Sequence, residues 1–171
     1  AHSRSPEIHA QFAAQHGLQV SYKKILVPEG GFVESAEAFL ASGGTGFNIT
    51  LPCKNDAYRF ADRVSGNAAL ARAVNTISID SEGRRVGDNT DGPGLLADLT
   101  RNLEWTVSGC RVLVLGAGGA VQGVLSDLIA GEPASVDLLN RTRATADDIV
   151  RQLAEPRLRS IAAAEIASPY D

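Results

Sequence analysis

A glycine-rich turn in the second half of the chain has the composition of a phosphate-binding loop. It consists of Gly116, Ala117, Gly118, Gly119 and Ala120. The turn follows residues 112–115, an apolar run typical of a strand buried on both faces of a parallel sheet. Glycines there let backbone N–H groups approach a pyrophosphate at the N-terminus of a helix. Because Val121 stands at the third glycine position of the G-x-G-x-x-G pattern, a purely structural glycine turn is the alternative.

Basic side chains stand where the ribose of a dinucleotide would lie. A second, mostly apolar run at 136–139 is followed by Asn140, Arg141, Thr142 and Arg143. Asn140 comes 24 residues after Gly116 (140 − 116), about where enzymes that use NAD place an Asp or Glu on the ribose hydroxyls. A guanidinium pairs with a 2′-phosphate, whereas a carboxylate repels it, so the sequence predicts NADP as cofactor. The alternative is a pair of solvated arginines at the start of a helix.

The elements around these residues predict an α/β protein. Residues 121–129 have helical spacing of apolar side chains, so strand, glycine turn, helix and strand form a dinucleotide-binding unit. A helix at 144–153 and a strand at 158–161 follow it. The first half predicts strands at 20–27, 46–51, 73–79 and 84–87. It also predicts helices at 6–16 (with Ser5 as N-cap), 32–42, 55–64, 68–71 and 93–103.

These elements divide into two domains. We expect an α/β domain over residues 1–91, a linking helix at 92–107 and the first half of a Rossmann-like dinucleotide-binding domain at 108–171. The chain contains no methionine and stops at Asp171, where a further strand would be due. A doubly wound half needs more strands than the remaining residues supply, so we expect this domain to be truncated.

Composition narrows the class of protein. With 171 residues, 44% of them hydrophobic, and a net charge of −4, the chain has the balance of a globular protein without a basic footprint for nucleic acid. No apolar run approaches the length of a membrane span. Cys53 and Cys110 are far apart, which predicts reduced thiols and a cytoplasmic protein. His2, His9 and His16 recur every seven residues, a rise of about 10.5 Å on a helix, so we predict no metal site.

Short polar motifs in the first half have ordinary structural explanations when each is taken alone. Asn48 and Thr50 share one face of a predicted strand, and Pro52 ends that strand, which places Lys54 in a loop at its tip. A lone lysine of this kind is usually solvated. The loop at 87–92 is typical of a surface turn, and Asp91 lies at the N-terminus of a helix, where the dipole favours a carboxylate.

Taken together, the motifs resemble those of the shikimate dehydrogenase family over the whole chain. Residues 3–6 (SRSP) look like the family's S-x-S-P, and residues 48–54 (NITLPCK) look like its N-x-T-x-P-x-K. Residues 73–76 match A-V-N-T, residues 87–92 match G-D-N-T-D-G, and residues 116–120 with 140–142 match the motifs that bind NADP. Five motifs in the order of the family make the resemblance specific.

The resemblance implies an NADP-dependent oxidoreductase that interconverts 3-dehydroshikimate and shikimate in aromatic amino-acid biosynthesis. It assigns the small-molecule substrate to Ser3, Ser5, Thr50, Lys54, Asn75 and Asp91. Lys54 and Asp91 would form the catalytic pair, because loss of hydride from carbon requires a base at the hydroxyl. It further implies that the first domain binds substrate, and that its first strand and the C-terminal part of the family are missing here. The sequence does not fix the oligomeric state, for which a homodimer is the candidate.

The sequence also departs from the family at positions that bear on its function. Arg72 replaces the usual Gly before A-V-N-T, and Cys53 stands where a larger residue is usual. Thr145 occupies the place of a second basic residue, for which Arg143 is the candidate substitute. Two alternatives therefore stay open: a quinate/shikimate dehydrogenase with relaxed cofactor choice, and a non-catalytic relative that senses a metabolite.

Overall fold

A computed structural model describes residues 3–166 and residue 170 of the chain. The helices are α1 (Ser5–Gln15), α2 (Phe32–Ala41), α3 (Lys54–Phe60), α4 (Gly66–Ala71), α5 (Asp91–Ala97), α6 (Gly119–Ala130) and α7 (Arg143–Leu153). The strands are β1 (Gly46–Asn48), β2 (Arg63–Val64), β3 (Thr76–Ile79), β4 (Arg85–Asp88), β5 (Arg111–Leu115), β6 (Ser135–Leu139) and β7 (Leu158–Ile161). A π-helical turn, Asp98–Asn102, extends α5. Over the described residues, no helix is long and apolar enough to cross a membrane.

The first sheet has the order β1-β3-β4-β2 and mixes strand directions. β3 pairs antiparallel with both β1 and β4, whereas β4 and β2 are parallel. Just before β3, the carbonyl of Asn75 accepts from the N–H of Ile49 (2.7 Å), and the N–H of Asn75 donates to the carbonyl of Asp88 (2.9 Å). These two bonds fix the backbone of Asn75 between the ends of β1 and β4.

The second sheet has the order β5-β6-β7, with all three strands parallel. Leu115 is in register with Leu139, and the N–H of Gly116 donates to the carbonyl of Leu139 (2.8 Å). The turn after β5 and the residues after β6 therefore meet at the carboxyl edge of the sheet, as in a dinucleotide-binding unit. Helices α6 and α7 connect the strands, and this half confirms the predicted order of strand, turn, helix and strand.

Each sheet has its own hydrophobic core. The core of the first half is built on Phe32, Ala36, Ile49, Ala57, Phe60, Ala68, Val74 and Ile77. The core of the second half is built on Val107, Ala117, Leu125, Leu128, Ile129, Val136, Leu138, Ala146, Ile149 and Leu158. The sheets separate between Asp88 and Arg111, which is compatible with the predicted division, although the limits 91/92 and 107/108 stay predictions.

Helix α6 joins the two halves by packing against α4 and α5. The contact is close because glycines occupy it on both sides. A Cβ at Gly92 would lie 2.7 Å from Cγ of Asp127, and a Cβ at Gly123 would lie 3.2 Å from Nδ2 of Asn89. These positions therefore allow the backbone of one element to touch side chains of the other.

Several predicted elements of the first half are wrong. No strand forms at 20–27 in the described part of the chain, because no neighbouring strand there supplies backbone hydrogen bonds to it. The strand predicted at 46–51 ends at Asn48, so Asn48 and Thr50 do not share a strand face. The helix predicted at 55–64 ends at Phe60, and Arg63–Val64 pairs with β4 instead.

Two predicted positions at helix starts also need correction. Lys54 is the first residue of α3 and not part of a loop. Ser5 is the first residue of α1, Arg4 is its N-cap, and no side chain caps the helix. The hydroxyl of Ser3 accepts from the N–H of Ser5 (3.3 Å), so a serine does satisfy a donor in the first turn, although it is not the predicted one.

Candidate active site

Lys54 and Asp91 form an ion pair between the starts of two helices. Nζ of Lys54 donates to Oδ2 of Asp91 at 2.5 Å. The side chain of Lys54 is 13% exposed and that of Asp91 is 31% exposed, so the pair is open to a ligand mainly on the side of the carboxylate. The carbonyl of Lys54 accepts from the N–H of Val74 (3.0 Å), which ties the start of α3 to the segment before β3.

Asn75 completes this group from the start of β3. Its Nδ2 donates to Oδ1 of Asp91 (2.9 Å), so both carboxylate oxygens of Asp91 have donors. The Oδ1 atom of Asn75 accepts from the N–H of Thr90 (3.1 Å). Since a backbone N–H can only donate, this bond fixes which end of the amide faces Asp91. A lysine, a carboxylate and an amide held in this way can bind a hydroxyl or a ketone and exchange a proton with it.

Asn89 holds the backbone beside these three side chains in place, although it is not among the residues predicted for the site. It is 1% exposed, its Nδ2 donates to the carbonyl of Ala73 (3.1 Å), and its Oδ1 accepts from the N–H of Asp91 (3.1 Å). It therefore fixes the backbone of Asp91 at the first turn of α5. The signal available was the unusual run of short polar residues at 87–92, but its composition alone also fits a surface turn.

Over the described residues, no side-chain hydrogen bond joins the other predicted substrate residues to this ion pair. Ser3 and Ser5 are joined by a hydrogen bond between their hydroxyls (3.0 Å) at the start of α1. Thr50 is exposed, and in the described part of the chain no side-chain hydrogen bond links it to Lys54, Asn75 or Asp91. His9 stacks on Tyr22, with ring centroids 4.4 Å apart, and His2 lies outside the described residues.

The predicted phosphate-binding turn leads directly into α6. Gly116 has φ +109°, a conformation that favours glycine, and Gly118 is the N-cap of α6. The first intrahelical bond runs from the N–H of Gln122 to the carbonyl of Gly118, so the N–H groups of the first turn are available to a ligand. Gly118, Gly119 and Ala120 are exposed, whereas Ala117 is buried.

The residues after β6 differ in how they are engaged. Arg141 is exposed, and it forms no ion pair within residues 3–166. Arg143 begins α7 and pairs with Glu165 at 3.1 Å and with Asp147 at 3.9 Å. The Nδ2 atom of Asn140 donates to the carbonyl of Thr142 (2.8 Å), which is the N-cap of α7. Of the two predicted arginines, Arg141 is therefore the one available to a phosphate group.

The second turn of α6 brings this cofactor region against the ion pair. A Cβ at Gly123 would lie 3.3 Å from Oδ2 of Asp91, the same oxygen that accepts from Lys54. Gly123 follows Gly119 by four residues, a rise of about 6 Å along the helix. A dinucleotide bound at the start of α6 would therefore lie next to Lys54 and Asp91.

A half-buried carboxyl group, that of Asp127, lies beside this contact. Burial raises the pKa of Asp127 above its usual value, and the nearby Asp88 carboxylate acts in the same direction, although a hydrogen bond from Asn67 opposes them. Oδ1 accepts from Asn67 (3.3 Å), whereas Oδ2 has no hydrogen-bond partner within the described part of the chain. The ionised form of Asp127 is therefore unfavourable at the junction of α4, α5 and α6.

Comparison with known proteins gives matches in both halves of the chain. The family model of the shikimate dehydrogenase substrate binding domain matches residues 1–77, and the model of shikimate / quinate 5-dehydrogenase matches residues 98–168. The shikimate dehydrogenase (NADP(+)) of Halorhodospira halophila is 51% identical over 142 residues, which are 83% of this chain and 53% of that protein. The chain thus spans about half the length of the curated relatives it matches.

Two solved structures share the fold at substantial identity. The Ael1 enzyme of Pseudomonas putida is 39% identical with a TM-score of 0.92, covering 96% of this chain and 60% of that one. The shikimate 5-dehydrogenase of Thermus thermophilus, solved with NADP(H) and shikimate, is 33% identical with a TM-score of 0.82. That match covers 94% of this chain and 58% of the Thermus chain. The predicted α/β architecture, with a substrate-binding part and a Rossmann-like part, is confirmed.

Proposed function

The chain belongs to the shikimate dehydrogenase family, and we propose that the full-length protein carrying it interconverts 3-dehydroshikimate and shikimate with NADP. The observation that carries this proposal is the ion pair of Lys54 and Asp91, held by Asn75 against the helix that follows the glycine turn. The reaction belongs to aromatic amino-acid biosynthesis.

We assign the proton transfer to Lys54. In the oxidation of shikimate, neutral Lys54 accepts the hydroxyl proton at Nζ while hydride leaves the carbon, and in the reverse direction its ammonium returns the proton to the ketone oxygen. The cofactor, when bound, would supply the redox chemistry, with NADP+ as the hydride acceptor in the oxidation and NADPH as the hydride donor in the reduction. Asp91 balances the charge of the ammonium and orients it, and Asn75 keeps the second oxygen of Asp91 occupied. Ser3, Ser5 and Thr50 would bind the rest of the substrate.

The residues present fit NADP. The N–H groups at the start of α6 favour a pyrophosphate, and the glycine turn at 116–120 leaves room for it, since nothing lies within 4 Å of a Cβ built at Gly118. Arg141 is the residue that would pair with the 2′-phosphate, with Asn140, Thr142 and Arg143 shaping the same loop. Replacing Arg141 with Ala should weaken NADP binding about tenfold or more without changing NAD binding, because NAD lacks the phosphate.

The experiment that tests the function is a spectrophotometric assay of the full-length protein with shikimate or quinate and with NADP or NAD. Turnover confined to shikimate and NADP supports the proposal. Comparable rates with quinate or NAD would instead favour the broader quinate/shikimate group, which the second matched family model also names. Ligand binding without any reduced cofactor would favour a metabolite sensor and would overturn the proposal.

The compartment, the type of substrate and the assembly of the enzyme are part of the same proposal. We infer a cytoplasmic enzyme, because Cys53 and Cys110 are both free thiols. In the proposed reaction the enzyme acts on a small molecule. We also infer that it does not act on nucleic acid, because the net charge is −4. The homodimer stays a prediction, which sedimentation velocity on the full-length protein would test.

A further inference from the structure

A continuous chain of side-chain hydrogen bonds runs from Tyr22 to the carboxylate of Asp91. The hydroxyl of Tyr22 donates to Oδ1 of Asn48 (2.7 Å), and Nδ2 of Asn48 donates to Oγ1 of Thr76 (2.9 Å). Oγ1 of Thr76 donates to Oδ1 of Asn75 (2.9 Å), whose Nδ2 donates to Asp91 (2.9 Å). All four bonds have the same direction, so each donor strengthens the next.

Thr76 links the outer part of this chain to Asn75, whose amide orientation is also fixed by the N–H of Thr90. The hydroxyl of Thr76 has one proton, and because Oγ1 accepts from Asn48, that proton is directed to Asn75. Oδ1 of Asn75 then has three donors, the hydroxyl of Thr76 (2.9 Å), the N–H of Thr90 (3.1 Å) and the hydroxyl of Thr90 (3.2 Å). With its oxygen occupied in this way, the amide must present its nitrogen to Asp91.

The outer end of the chain is tied to α1. Tyr22 stacks on His9 with the two rings only 8° from parallel, and His9 lies about one helical turn after Ser5. The ring stack and the hydrogen bonds together therefore connect α1, whose first residue is the proposed substrate-binding Ser5, with the carboxylate of the proposed catalytic pair.

We propose that Thr76 is a positioning residue for Asp91, acting through Asn75, and that Tyr22 anchors the outer end of the same chain. The inference rests on the proposed function, since it concerns how the catalytic pair is held. Losing the hydroxyl of Thr76 leaves Oδ1 of Asn75 with only the two donors of Thr90, so the amide keeps its orientation but is held less tightly, and Asp91 is less well oriented toward Lys54.

The test compares Thr76→Val, which keeps the shape and removes the hydroxyl, with Thr76→Ser, which restores it. In the full-length protein without ligands, NMR should show the side-chain amide protons of Asn75 exchanging about tenfold faster in T76V than in T76S or the wild type. In the full-length enzyme, kcat should fall about tenfold in T76V with KM for NADP unchanged, and T76S should recover most of it.

The outcomes separate this inference from the proposed function. An unaltered amide exchange in T76V, or T76S behaving like T76V, would overturn the positioning role whatever the enzyme does. A wild type that fails to oxidise shikimate would overturn the function, while the amide exchange still decides the role of Thr76. Tyr22→Phe keeps the ring stack and should give the same pattern with a smaller change, about threefold, because it acts at the far end of the chain.

Discussion

At the scale of single residues, Lys54 depends on the carboxylate beside it. Its side chain is only 13% exposed, and an ammonium at that depth needs a carboxylate within contact distance. Asp91 supplies it at 2.5 Å, and Asn75 binds the other oxygen of the same carboxylate. Asp91 therefore balances the charge of Lys54 and orients its Nζ. The same carboxylate forms the more exposed side of the pair, from which a substrate would approach.

Replacing Lys54 with Ala should lower kcat of the full-length enzyme by a factor of about 100 to 10,000, the usual contribution of a positioned acid or base. KM for NADP should stay near the wild-type value, because the glycine turn and Arg141 are unchanged. Lys24→Ala, an exposed lysine of the segment at 20–27, is the matched control. Steady-state kinetics decide the matter, and undiminished turnover in K54A would remove this mechanism.

The sequence predicts some of these residues and misses others for a physical reason. Lys54, Asn75 and Asp91 begin or precede three different elements, and only the family motifs in which they stand single them out. Asn89 escapes because its Nδ2 donates to a carbonyl 16 residues away (89 − 73), a contact that only the folded chain creates, whereas its bond to the N–H of Asp91 is the local one of an ordinary turn. Local pattern does not encode such a partner.

At the scale of elements, periodic segments are predicted well and segments that depend on a distant partner are not. The structure confirms the strand at 112–115 and the helices at 121–129 and 144–153. These elements could be predicted because the spacing of their apolar residues indicates which face is buried. The strand predicted at 20–27 fails because a strand needs a neighbour. Arg72 has φ +49° at the end of α4, which explains why glycine is usual there in the family.

The close contact of α5 with α6 gives a paired test of packing. Gly92→Ala should lower the free energy of unfolding by about 1 to 3 kcal/mol, because the new Cβ overlaps the carboxylate of Asp127. Gly94→Ala is the control in the same helix, where nothing lies within 4 Å of the new Cβ, and it should be neutral or stabilise by up to about 1 kcal/mol. Urea unfolding of the 171-residue chain measures both, and equal effects would contradict the packing.

The carboxyl of Asp127 predicts a pH dependence of stability. Since burial raises its pKa in the folded chain, the folded state takes up a proton more readily than the unfolded state. Its contribution to stability is therefore fully present below the unfolded pKa and is lost as the pH rises through the raised, folded value. Asp127→Asn cannot ionise, so its unfolding free energy minus that of the wild type should increase from pH 4 toward neutrality.

Asp62→Asn is the control of opposite sign. The guanidinium of Arg85 lowers the pKa of Asp62 to about 2, so this carboxylate stabilises the fold above its unfolded pKa and loses that effect as the pH falls toward 2. The free energy of the Asp62 variant relative to wild type should thus decrease toward neutral pH. Urea titrations across the pH range measure both slopes, and slopes of the same sign would contradict the assignment for Asp127.

At the scale of the whole molecule, α6 belongs to both halves. Its first turn presents the N–H groups that would bind the cofactor, its second turn touches Asn89 and Asp91 at Gly123, and its third turn carries Asp127 against α4 and α5. Because Gly123 packs directly against these side chains, we expect ordering of α6 to restrict residues 89–92, the segment that leads into α5.

Binding of NADP should therefore protect two separate segments from amide hydrogen exchange. Protection is expected at 116–122, where the phosphates would bind, and at 89–92, which the nucleotide does not need to touch. At a concentration 100 times the dissociation constant, the gain at either segment is limited to about 2.7 kcal/mol. Strand β7, at the far edge of the second sheet, is the internal control and should change least. If protection were confined to 116–122, ordering of α6 would not pass through the contact at Gly123 to residues 89–92. The cofactor site and the ion pair would then be neighbours without energetic coupling.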